Sequence, residues 1–121
     1  MQDHNSDFLA AVEQAIMATR CFPESTYRVQ FHARFRFRDA LQIVPYLNDL
    51  GITHLYTSPL LQARPGSMHG YDITNHQALN PELGTEADYE ELCQALQSHG
   101  MGQVLDIVPN HMGVVGNDNQ W

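Results

Sequence analysis

Residues 103–112 read QVLDIVPNHM and set the strongest constraint on what this chain can become. The apolar run Val104-Leu105 and Ile107-Val108 carries a single acid, Asp106, and closes on Pro109, Asn110 and His111. A β-branched run of this length reads as a buried strand, of the kind found in parallel sheets covered on both faces. A bare carboxylate in such a strand is costly, so Asp106 needs partners or a purpose. Asn110 and His111 fall at the carboxyl end, where α/β folds carry their chemistry.

The upstream chain reads as the scaffold for that strand end. Thr26–Phe31, TYRVQF, alternates and is rich in aromatic and β-branched residues, which predicts a strand with Arg28 and Gln30 on one face. Ala40, Leu41, Val44, Leu47 and Leu50 then recur at helical spacing, with Asp39 as a cap and Gly51 just past the end. Pro45 inside that pattern is expected to kink the helix or split it. Ile52–Thr57, ITHLYT, predicts a second strand that stops at Ser58-Pro59. Residues 58–84 hold no sustained period and three of the six prolines, so they read as a long connection, usually a functional one. In the helix expected over Thr85–His99, Thr85 and Asp88 resemble a capping box and Gly100 is the stop. Gln103–Val108 is the third strand. Strand, helix, strand, loop, helix, strand makes two βαβ units and hence a parallel sheet with helices outside it. Three strands leave open edges, so the chain reads as the leading piece of a longer protein.

Residues 7–19 place Phe8, Leu9, Val12, Ala15 and Ile16 on one helical face, with Asn5 or Ser6 as the cap. They form an N-terminal extension, residues 1–22, ahead of the main unit at 23–121. That extension is acidic and has no basic region before an apolar core, unlike a signal peptide. No run approaches 18 apolar residues, so no membrane span is expected. Fourteen acids against six arginines and no lysine give a formal charge of −8. That balance repels nucleic acid and anionic lipid and suits a neutral ligand such as a sugar. Cys21 and Cys93 stand far apart with no CxxC, so a reducing cytoplasm is the default.

DIVPNH, Asp106 to His111, resembles the first signature region of the α-amylase superfamily of glycoside hydrolases and transglycosylases. TYRVQFH, YLNDLGITHLYTSP, ARPGSMHGYDITNH, NPELG and DIVPNHMGV, in that order, resemble the maltooligosyl trehalose synthase family within it. The resemblance covers roughly residues 23–121. It implies a (β/α)8 TIM barrel of which these residues are the first three βα units. It also implies an intramolecular transglucosylation, in which the reducing-end α-1,4 bond of a maltooligosaccharide becomes α,α-1,1 with retention. Retention uses two carboxyl groups about 5–5.5 Å apart. In this family they follow later barrel strands, so no catalytic residue is assigned here and residues 1–121 alone are expected to be inactive.

By the same resemblance His111 donates a hydrogen bond to a sugar hydroxyl in subsite −1, and Asp106 orients an arginine from elsewhere in the enzyme. Asn110 completes the motif; its counterpart in related amylases binds calcium, on which this family is not expected to depend, so no metal and no cofactor are assigned. Tyr71 is expected to stack on a pyranose, Asp72 to close the pocket by pairing with a distant arginine, and His69 to line it. Arg64 is a further candidate, at the dead end of the site. The ligand is a maltooligosaccharide or α-glucan, and nothing in the sequence sets an oligomeric state. Competing readings are an ordinary α-amylase-type hydrolase and a non-catalytic α-glucan-binding module. A zinc site built from His69, Asp72, His76 and His111 lacks the local pair spacing such sites have.

Overall fold

The computed structural model describes residues 4–19 and 22–114. The elements are α1 (His4–Thr19), β1 (Thr26–Val29), α2 (Phe37–Asp49), β2 (His54–Thr57), β3 (Leu61–Ala63), β4 (Ile73–Leu79), α3 (Glu86–Ser98) and β5 (Gly102–Leu105). The expectation for Cys21 falls outside the described residues.

β1, β2 and β5 form a three-stranded parallel sheet in the order β1-β2-β5. The two strand–helix–strand units are therefore as the sequence implies. The register aligns Arg28 with Tyr56 and Tyr56 with Val104, so these side chains share one face across the sheet. Phe31, Phe37, Val44, Leu47, Leu55 and Leu92 form the buried core with α2 and α3. Arg38 Nε on α2 reaches Asp88 Oδ1 on α3 at 2.6 Å, tying the two helices together. The α3 cap is the expected box: Asp88 N donates to Thr85 Oγ1 at 3.1 Å, and Thr85 N donates back to Asp88 Oδ2 at 2.8 Å.

Several local expectations change. α2 is not split at Pro45, which lies inside it. Pro45 sits on the exposed side, where water can satisfy the carbonyl its missing N–H leaves behind and the helix can curve around the core. Asp39 is not the cap of α2. It stands three residues in, with Arg36 at the cap, and accepts from Arg36 N at 2.7 Å. Asn5 and Ser6 do not cap α1, because the helix already includes them. Residues 58–84 are not one structureless connection. β3 and β4 pair antiparallel within them, with register shifts on either side of Gln62. Such an irregular ladder leaves no clean alternation to read.

The third strand is shorter than expected and less enclosed. It ends at Leu105, one residue before the acid, and Leu105 and Ile107 are 48% and 69% exposed. The reason is its place in the sheet: among the described residues β5 pairs only with β2, so its outer side is an edge.

Candidate functional site

Strand polarity gathers the site. All three parallel strands point their carboxyl ends the same way, and Asp106 begins the segment that leaves β5, its N–H donating to Thr57 O at 3.1 Å. Gly70, at φ +79°, turns the preceding loop back toward that end, with its N–H on Ser67 Oγ at 3.0 Å. A side chain there would press on the Pro59 carbonyl, at 3.0 Å.

Among the described residues Asp106 meets phenols and no arginine, the arginine expected for it belonging elsewhere in the enzyme. Its Oδ2 accepts from the Tyr71 hydroxyl, and also from the Tyr56 hydroxyl at 3.3 Å. The hydrogen bond to Asp106 holds the proton on Tyr71 and raises its pKa, with burial adding to the effect and Arg28 opposing it. Arg28 Nη2 donates to the Tyr71 oxygen at 3.1 Å, and Nη1 to Gln30 Oε1 at 2.9 Å. The Arg28 guanidinium also lies 5.5 Å from the centre of the Tyr56 ring, a cation–π distance. Gln30 Nε2 in turn donates to the carbonyls of Met68 and His69, at 3.2 and 3.0 Å. Arg28, Gln30 and Tyr56 thus join the cluster although the sequence reading assigned them no role. The available signal was an arginine and an amide alternating along one face of a strand in a parallel sheet.

His111 is placed beside Tyr71. Its Nε2 lies 3.1 Å from Tyr71 O, and its Nδ1 lies 2.7 Å from the Asn110 amide oxygen. A carbonyl can only accept, so Nε2 carries a hydrogen. A neutral ring then needs the Asn110 amide turned to offer its NH2 to Nδ1. Among the described residues Asp72 meets no arginine. Its Oδ1 accepts from Ser67 Oγ at 2.5 Å and stands 3.9 Å from His69 Nδ1. Ser67 is only four residues from β3 in the same turn, a shorter reach than any arginine on another element. His69 stacks on Tyr71 with ring centres 6.0 Å apart, and its Nδ1 accepts from Tyr71 N at 3.0 Å. Arg64 packs its aliphatic stem near Gly113. His76 Nε2 donates to Val108 O at 2.9 Å and so pins the segment that carries Asn110 and His111.

The cluster therefore joins Tyr71, Asp106, Asn110, His111, His69 and Asp72 at one end of the sheet. It offers an aromatic ring, an imidazole and an amide, all suited to hydroxyl-rich neutral ligands. Beside it lies an apolar hollow of about 230 Å³, lined by Pro59, Ile73, Leu79, Tyr89, Ile107 and Val108 among others.

Comparison with known proteins follows the same line. Residues 39–120 match the model of the α-amylase catalytic domain. A putative maltooligosyl trehalose synthase of Mycobacterium tuberculosis is 50% identical over 103 residues, covering 80% of this chain and 14% of that protein. The α-amylase SusG of Bacteroides thetaiotaomicron is 42% identical over 72 residues, 60% of this chain and 10% of that protein. Among solved structures, maltooligosyltrehalose synthase from Arthrobacter ramosus superposes with a TM-score of 0.79 at 48% identity, covering 82% of this chain and 13% of that one. An α-amylase from Geobacillus thermoleovorans shares the fold at 22% identity with a TM-score of 0.73, over 78% of this chain and 24% of that one. The chain thus spans about one-seventh of the length of the first curated relative, 14%.

Proposed function

This chain belongs to the α-amylase catalytic-domain family, and on that premise we propose that it forms the substrate-holding wall of a glucosyl-transferring enzyme that makes maltooligosyl trehalose. The substrate is a maltooligosaccharide. The reaction cleaves the reducing-end α-1,4 bond and rejoins the released glucose to the chain through an α,α-1,1 bond, a rearrangement with no net hydrolysis. The observation that carries this reading is the convergence of Tyr71, Asp106 and His111 at the carboxyl ends of the parallel strands, in a chain 50% identical to a putative maltooligosyl trehalose synthase.

The geometry supports the following roles. The Tyr71 ring is the platform for the apolar face of a pyranose, and its hydroxyl is held by Asp106 and Arg28. His111 presents its Nε2–H to a sugar hydroxyl once the ligand competes with the Tyr71 carbonyl. Asp106 keeps both phenols oriented. Asp72 and Ser67 fix the turn that delivers His69 and Tyr71. Retention needs a nucleophile and an acid/base about 5–5.5 Å apart, and in this proposal those carboxylates come from outside residues 1–121. Two distant cysteines with no CxxC support a cytoplasmic setting for the enzyme.

The deciding experiment feeds maltopentaose to the full-length protein that carries this chain. A non-reducing product supports the mutase. Glucose and maltose alone would leave an α-amylase-type hydrolase, and binding without turnover a glucan-binding module.

A further inference from the structure

We propose that Arg28 is a positioning residue of the sugar site: it fixes the hydroxyl of Tyr71, and through it the stacking ring, from the opposite side to Asp106. This rests on the reading of Tyr71 as a sugar platform.

The argument begins with the sheet. Arg28 lies on β1, an edge of the described sheet, yet its side chain does not run out to solvent alone. It is aimed along the shared face, where Tyr56 stands in register beside it on β2. Its two terminal nitrogens divide the work. Nη2 donates to the Tyr71 oxygen at 3.1 Å, while Nη1 takes Gln30, whose own amide nitrogen holds the carbonyls of Met68 and His69. One guanidinium therefore secures both the tip of the Tyr71 ring and the loop that supports it. Asp106 receives the phenol proton on the other side. A phenol that donates to a carboxylate and accepts from a guanidinium has its ring torsion fixed by both contacts, whereas either alone leaves it free to swing about the remaining bond. A lysine is a point donor and cannot serve both Tyr71 and Gln30 with the planar fork.

Arg28 touches no sugar in this arrangement, so its effect must pass through the Tyr71 hydroxyl. That gives it a signature which mere structural support lacks. In the full-length protein, Arg28→Ala should lower kcat/KM on maltopentaose by about ten-fold or more, the scale of a lost hydrogen bond to a charged group. In a Tyr71→Phe background, which has no hydroxyl to hold, the same change should cost less than about two-fold. Arg28→Lys should recover only part of the rate. The Tyr71 phenol pKa, followed by ultraviolet absorbance against Tyr71→Phe, should rise in Arg28→Ala and fall in Asp106→Asn, because the two partners act on it with opposite sign. Equal losses from Arg28→Ala in both backgrounds, with an unmoved phenol, would overturn the proposal. So would full rescue by lysine. A wild-type enzyme that only hydrolyses maltopentaose would instead overturn the mutase reading, and the cycle on its hydrolysis rate would still test Arg28.

Discussion

At the scale of single residues, two contacts set what the site can do. His111 has one hydrogen-bond donor directed at Tyr71 O and the other nitrogen at Asn110, so its ring plane is fixed before a ligand arrives. Removing a preorganised donor costs transition-state binding, and His111→Ala in the full-length enzyme should reduce kcat/KM by about 2–4 kcal/mol. An unchanged rate on maltopentaose would take His111 out of the site. Tyr71 carries the second contact. Its pKa is raised, first by the hydrogen bond its hydroxyl donates to Asp106 and then by burial, with Arg28 opposing both. Tyr89, near Gln103 at 2.9 Å, is pushed further, to about 12, first by its burial.

The α2–α3 pair makes Asp88 the point to test at the scale of elements. Hydrogen bonds from Thr85, backbone first, and the Arg38 guanidinium lower its pKa to about 2. A carboxylate depressed in the folded state contributes stability above its unfolded value, about 3.8, and that contribution is lost as pH falls through about 2. Denaturant midpoints measured between those limits should fall more steeply for the wild type than for Asp88→Asn; parallel curves would contradict the capping role. β5 is sensitive in a different way. A side chain at Gly102 would overlap the imidazole of His54, which is only 5% exposed. Gly102→Ala should then lose about 1–3 kcal/mol of stability in urea unfolding, the scale of overpacking. Elements with a strong local period were legible in the sequence: α3 with its capping box, α2 with its apolar stripe and Gly51, and the three parallel strands to within a few residues. β3 and β4 were not, because ITNHQAL alternates poorly and its partner is only three residues long and bulged. In the site, DIVPNH and HGYD were readable as chemistry, since polar side chains at a strand end stand out against an apolar run. The partners of Asp106 and Asp72 were not. Which phenol or hydroxyl reaches a carboxylate is set by register and by a loop turn at Gly70, neither of which a linear motif records.

For the molecule as a whole, the distribution of exposed apolar surface and of free strand edges decides what residues 1–121 can do by themselves. β2 is flanked on both sides, whereas β1 and β5 each have one partner among the described residues. At the end of β5 and just past it, Leu105 and Ile107 remain 48% and 69% exposed beside the apolar hollow. Edge amides open without breaking the rest of a sheet, so hydrogen exchange on the 121-residue chain should protect Leu55 and Tyr56 on β2 more than Val104 and Leu105 on β5. Equal protection across the sheet would mean that something covers the β5 edge. The same geometry bears on chemistry. Of the two acids in the described cluster, Asp106 is occupied by two phenols and Asp72 by Ser67. The proposed function puts the two roles of a retaining reaction, nucleophile and proton donor, on carboxyl groups from outside residues 1–121. The 121-residue chain should accordingly give no product from maltopentaose under conditions where the full-length protein turns over. Trehalosyl product from the short chain would require one of these acids to be the nucleophile, and Asp106→Asn and Asp72→Asn would then identify which.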